Sequence, residues 1–148
     1  MDINNQKLIY FNSPRGTGER IHYNLWAMGL DKNKKICHCG IGTIFHETMN
    51  NRLIEKFKVY DVIYLDGFYE WELTESKTYD HGIAEGDVVM KETIRGIQEL
   101  VEYGKQVVMA SHDNFHSFTR IPKEFKEKVV VYDLDYSIKW SFDLKPVE

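Results

Sequence analysis

Only two cysteines and three prolines occur in the 148 residues, and no apolar run approaches the length of a membrane span, which takes roughly 20 residues. The cysteines, Cys37 and Cys39, are one residue apart, too close for a useful loop-closing disulfide. Basic residues do not predominate: 19 Lys and Arg face 23 Asp and Glu, a net charge of −4. That balance lacks the electrostatic footprint of a general DNA or RNA binder, although a few local donors suffice for one phosphate. Residues 1–7 carry no basic-then-apolar leader pattern. These absences lead to the expectation of a reduced, cytoplasmic protein without a membrane or nucleic-acid-polymer partner.

What is present is ordinary for a globular chain: 43% apolar and 28% charged residues, with a length that suits a single domain over 1–148. Aromatic residues reach 14%, more large rings than a small core requires, so some are expected to line a pocket or a subunit contact. Short apolar runs predict strands over 7–12, 35–39, 59–65, 105–110 and 129–132. Helical periodicity predicts helices over 19–29, 45–57 and 87–103, the last with Met90, Ile94, Ile97 and Val101 on one stripe and Gly104 as its stop. Strands alternating with helices predict an α/β fold: five mostly parallel strands flanked by helices on both faces, Rossmann-like or flavodoxin-like. Ligands bind beyond the carboxyl ends of such strands. Here those ends carry Ser13-Pro14-Arg15-Gly16, His38, Asp66-Gly67 and Ser111-His112-Asp113-Asn114.

The first of these loops carries the best local signal. Ser13 and Thr17 offer hydroxyls, Arg15 a planar fork, and Gly16 and Gly18 bare amides before a predicted helix, together enough to cradle one phosphate. No Gly-Lys-Ser/Thr completes a lysine-type phosphate loop, and the dinucleotide glycine spacing is missing. A plain glycine-containing turn is the competing reading. Cys37-His38-Cys39 is not zinc spacing, and His112 and His116 fall in a predicted loop, so no metal and no cofactor is expected. Glu92, in the first turns of a helix, and Asp66, in an Asp-Gly turn, each have an ordinary structural explanation beside a functional one. Phe68, Tyr69 and Trp71 either stack a planar ring or cover a sheet edge.

Taken together, these pieces resemble the nucleoside 2-deoxyribosyltransferase-like superfamily, and within it the 2′-deoxynucleoside 5′-phosphate N-hydrolases. The resemblance rests on Leu8-Ile9-Tyr10-Phe11-Asn12-Ser13-Pro14-Arg15-Gly16, on His38, on Phe45-His46-Glu47 and Tyr60-Asp61-Val62-Ile63, on Lys91-Glu92 through Gly104-Lys105-Gln106-Val107-Val108, and on His116 to Arg120 and Val130 to Asp133. It implies cleavage or transfer of the N-glycosidic bond of a (deoxy)nucleoside 5′-monophosphate, with Glu92 attacking the anomeric carbon and Tyr10 steadying it. It further implies phosphate contacts from Ser13, Arg15, Gly16 and, across a homodimer, Ser117, with His38 in the pocket; Asp66, at a strand's carboxyl end, is a further substrate-binding candidate. A carboxylate held ionised near a helix N-terminus is a competent glycosyl nucleophile.

The chain departs from that pattern: the spans from His46 to Asp61 and from Glu92 to Lys105 are each about one helical turn longer than expected. Val88-Val89-Met90-Lys91 stands where glycines precede the glutamate, and Asn50 or Asn51 stands near an expected aspartate. An alternative register makes Glu85 the nucleophile. Two other readings stay open: a non-catalytic nucleotide-binding or sequestering protein on the same fold, and a flavin-binding flavodoxin-like protein.

Overall fold

The apolar runs Leu8-Ile9-Tyr10-Phe11, Val62-Ile63-Tyr64-Leu65 and Val107-Val108-Met109-Ala110 are buried on both sides, as the central strands of a parallel sheet must be. A computed structural model describes residues 3–12, 25–26, 28–135 and 143–146. In it five parallel strands form one sheet: β1 (Leu8–Asn12), β2 (Ile36–Cys39), β3 (Val62–Asp66), β6 (Gln106–Ser111) and β7 (Val130–Asp135). Their order is β2-β3-β6-β1-β7, and β8 (Asp143–Pro146) adds an antiparallel edge beside β7. The α/β class and the parallel sheet agree with the sequence reading; the antiparallel sixth strand is additional.

Alternate residues of each strand face opposite layers. Leu8, Tyr10, Ile63, Leu65, Val107, Met109 and Val131 pack beneath α1 (Ile41–Met49), α2 (Leu53–Phe57), α4 (Gly86–Glu102) and α5 (Lys123–Glu127). Ile9, Phe11, Val62, Tyr64, Val108, Ala110 and Tyr132 meet Ile3, Leu25 and Leu30 on the other side. Among the described residues the long helices therefore cover one face, and the other carries the turn at Ile3–Asn5 and the segment around Leu25. The helix expected over 19–29 lies mostly outside the described residues.

The single helix expected over 45–57 is two. Asn51 adopts φ 56°, the left-handed region, and the Arg52 N–H donates back to the Glu47 carbonyl at 2.9 Å. This is the termination device usually built on glycine, here built on asparagine. Gly104 (φ 92°) ends α4 in the same way, with the Lys105 N–H donating to the Leu100 carbonyl at 2.9 Å.

A long polar, aromatic segment joins β3 to α4. It holds α3 (Glu70–Leu73) and the antiparallel hairpin β4 (Lys77–Tyr79) and β5 (Gly82–Ala84). Both are anchored: Phe68 and Leu73 are fully buried, and Ala84 packs with Phe45 and Val89.

Candidate functional site

The sheet order sends the chain leftward from β1 to β2 and rightward from β6 to β7. The crevice between the carboxyl ends of β1 and β6 is thus the topological switch point, where open α/β sheets place their ligands. Asn12 and Ser111 end these two strands and are paired in register. The segment 13–18 that leaves β1 here, with Ser13, Arg15 and Gly16, lies outside the described residues.

Around this crevice the side chains are tied into one network. The Tyr10 phenol is hydrogen-bonded to the Ser111 hydroxyl and donates to the Asp113 carbonyl at 2.7 Å. Its ring sits among Phe68, Phe115 and Phe118. Burial pushes the Tyr10 phenol well above its ordinary range, only partly offset by the bond to Ser111. Asn12 donates to the Asp133 carboxylate at 2.9 Å and accepts the Phe115 N–H at 2.9 Å, so it bridges β7 to the loop after β6.

Beside the crevice, at the ends of β3 and β6, Tyr69 reaches His112 Nδ1 at 2.8 Å and stacks on Trp71 with an interplanar angle of 22°. Trp71 is 59% exposed. The Glu70 carboxylate accepts the backbone N–H groups of Thr119, Arg120 and Ile121 at 3.3, 2.7 and 3.2 Å, pinning α3 to the loop before α5.

The structure does not gather the remaining sequence candidates around this crevice. Glu92 lies on α4 with its carboxylate 2.6 Å from Arg95, which also meets Glu99 at 2.6 Å. Burial alone pulls the Arg95 guanidinium down, but the bond and charge of Glu92 and then Glu99 outweigh it and hold it above its ordinary value. Glu92 and Tyr10 thus belong to separate networks, one along a helix surface and one at the sheet end. Glu85 caps α4 from an exposed position and accepts from the Ser76 hydroxyl at 3.3 Å.

His38 is exposed on the edge strand β2, edge-on to Tyr64 at 4.9 Å. That is three strands from β1, about 14 Å at the usual strand spacing. Asp66 is exposed at the end of β3. Ser117 closes a 3-10 turn by donating to the Asn114 carbonyl at 2.6 Å.

Asn12 has no role of its own in the sequence reading, and Ser111 and His112 stand there only as strand-end residues. Their signal was position: each sits at or just past a strand's carboxyl end. Away from this edge, a groove of about 490 Å³ runs between α4 and α5 over Met90, Ile94 and Phe125. No group of three or more potential metal ligands occurs among the described residues.

The chain matches no protein-family model and no curated protein sequence. It does match solved structures. One is domain III of the Thermotoga maritima replication initiation protein DnaA, with 13% identity and a TM-score of 0.54 over 87% of this chain and 54% of that one. Another is AMPPCP-bound DnaA from Aquifex aeolicus, with 16% identity and a TM-score of 0.50 over 88% of this chain and 41% of that one. A structure described as a DNA replication initiation factor gives 15% identity and the same TM-score of 0.50. The likeness is one of fold. The chain spans between 41% and 54% of the length of these structures. None of them is of the deoxyribosyltransferase type.

Proposed function

We propose that this chain is a non-hydrolysing nucleotide-binding protein, built on the fold it shares with DnaA domain III. One observation carries the reading: the segment following β1, a strand with neighbours on both sides at the switch point, reads Ser13-Pro14-Arg15-Gly16-Thr17-Gly18-Glu19-Arg20. A phosphate loop has the pattern Gly-x-x-x-x-Gly-Lys-Ser/Thr between a strand and a helix, its lysine reaching the terminal phosphates and its hydroxyl holding magnesium. In the same register this chain keeps Gly18, has Ser13 for the first glycine, and has Glu19 and Arg20 for the lysine and hydroxyl. The chain is helical again at Leu25 and Trp26.

Exchanging a lysine for a glutamate turns an attraction for the terminal phosphates into a repulsion, and the loss of the hydroxyl removes a magnesium ligand. Arg15, Thr17 and the glycine amides still offer donors to one phosphate. The chemistry therefore favours a nucleoside monophosphate over a magnesium-bound triphosphate. The AMPPCP-bound DnaA structure, a triphosphate-analogue complex, supports a nucleotide as the ligand class.

Calorimetric titration with a nucleoside monophosphate and the bare nucleoside tests the reading. A charge-assisted contact is worth about 1.5–3 kcal/mol, so Arg15→Ala should weaken the monophosphate roughly ten- to hundredfold and leave the nucleoside unchanged. Magnesium-dependent hydrolysis of ATP by the wild-type chain, or no nucleotide binding at all, would overturn the proposal.

A further inference from the structure

We infer that the amino-terminal edge of the sheet, opposite the switch-point crevice, is a sequence-tolerant docking surface for single-stranded nucleic acid. The overall charge of −4 hides a segregation. The short segments leading into the five parallel strands, residues 6–7, 31–35, 58–61, 102–105 and 127–129, hold seven lysines against four carboxylates, while the ammonium of the preceding Lys126 turns away to the Phe118 carbonyl at 2.6 Å. This edge is thus locally cationic on an acidic chain. The connection that leaves the opposite end of β3, residues 66–87, is acidic by contrast, with seven carboxylates against the single lysine Lys77.

Strand register turns these segments into a line. Ile36 pairs with Val62 and Val62 with Gln106, so Lys35, Asp61 and Lys105 are neighbours one residue before their strands. Ile9 pairs with Val130, which sets Lys7 beside Lys128. Backbone contacts hold the row together: the Val62 N–H donates to the Lys35 carbonyl at 3.0 Å, and the Val107 N–H to the Lys7 carbonyl at 2.9 Å. From β2 to β7 the row crosses four strand spacings, about 19 Å, and the five lysines along it, Lys7, Lys35, Lys58, Lys105 and Lys128, set the number of phosphate contacts at five at most.

Lys7, Lys35, Lys58 and Lys128 are exposed. The Lys105 ammonium donates to the Lys58 carbonyl at 2.7 Å and lies 5.5 Å from the Tyr103 ring centre. Carboxylates temper the row: Asp31, Asp61, Glu102 and Glu127 stand in the same segments, Asp61 accepts the Lys35 N–H at 2.8 Å, and Glu55 pairs with Lys58 at 3.0 Å.

The choice of nucleic acid over an acidic polypeptide rests on what accompanies the charges. Tyr103, 53% exposed, and Val59, 60% exposed, stand within the row. A cationic track with an exposed aromatic ring in it is the arrangement that holds single strands without reading their sequence, and here Lys105 lies over one side of the Tyr103 ring. All the cations are lysines, point charges that grip phosphate without the directed fork of arginine.

Fluorescence anisotropy with a labelled oligothymidylate, measured across salt concentrations, tests this. Five lysine–phosphate contacts give a slope of log affinity against log salt of about −3.5, or roughly a hundredfold loss between 50 and 200 mM. The variant Lys35→Gln/Lys128→Gln should flatten the slope to about −2, and Tyr103→Ala should weaken binding about fivefold or more at fixed salt. Lys77→Gln, in the β4–β5 hairpin, should change neither. All three sets of positions are exposed or partly so, and circular dichroism will verify that the variants fold. Absence of binding at low salt, or a slope that the double variant leaves unchanged, would overturn the inference. So would binding of polyglutamate, lost in the same variants, without binding of the oligonucleotide, since that marks an acidic-protein surface instead.

Discussion

Replacing Tyr10 by phenylalanine removes one oxygen from the centre of the crevice and nothing else. Tyr10 has 0% exposure, and its hydroxyl has two partners, the Ser111 hydroxyl and the Asp113 carbonyl. Ser111 keeps one compensating contact in the variant, the Asp113 N–H at 3.1 Å; the Asp113 carbonyl loses its tyrosine donor. Each net hydrogen bond is worth about 0.5–1.5 kcal/mol, so the variant should lose about 2 kcal/mol, or about 4–8 °C in Tm for a chain of this size.

Alkaline pH gives an independent reading. Burial raises the folded-state phenol above its ordinary value of 10.0, so the native state holds a proton that the unfolded chain releases first. The resulting stability is fully present below about pH 10 and declines as pH rises further. Urea melts of wild type and Tyr10→Phe from pH 7 to 11 would show both effects, the variant starting lower and declining less steeply. Equal stability at pH 7 together with parallel alkaline decline would refute the network as described.

Other expectations follow from single contacts. A Cβ on Gly96 would run into the Thr48 hydroxyl and Ile44 where α4 crosses α1, so Gly96→Ala should cost about 1–3 kcal/mol in chemical denaturation despite its better helix propensity. Burial pushes the Cys39 thiol up to about 12 and Cys37 in the same direction; alkylation by iodoacetamide at pH 7.5 should therefore be much slower than for a free thiol, and unfolding in urea should abolish the protection. Because Glu92 is engaged by Arg95, we expect no free base by chromatography after incubation with deoxynucleoside monophosphates. Base release that Glu92→Gln eliminates would instead favour the glycosyl-cleaving reading.

The strands were legible because three of them are unbroken apolar runs, a pattern that burial on both faces demands. α4 was legible from its stripe and its terminal glycine. Strand order was not, since apolar periodicity reports that a strand is buried and is silent on its neighbours. That is why His38, read at the end of the second strand and assigned to one pocket with the loop after β1, proves to lie three strands away from it. The break at Asn51 was missed because asparagine, unlike glycine, gives no strong stop signal. The polar, aromatic segment 68–86 is longer than a passive connection, but its helix and hairpin were not legible, because their anchors, Phe68, Leu73 and Ala84, are isolated rather than periodic. Of the candidate site, the emphasis on strand carboxyl ends led to Ser111, His112 and Asp113. The partnership of Tyr10 with Ser111 joins residues 101 positions apart, beyond the reach of local pattern.

The central claim, that the loop after β1 serves a phosphate without supporting magnesium-triphosphate chemistry, is tested most directly by one calorimetric comparison. ATP would be titrated with and without magnesium into the wild type and into Glu19→Lys/Arg20→Thr, which restores the lysine and the hydroxyl of the phosphate-loop pattern. The account predicts that magnesium leaves wild-type affinity for ATP unimproved and strengthens binding in the double variant. Magnesium-enhanced ATP binding by the wild type, undiminished by the glutamate at position 19, would contradict it.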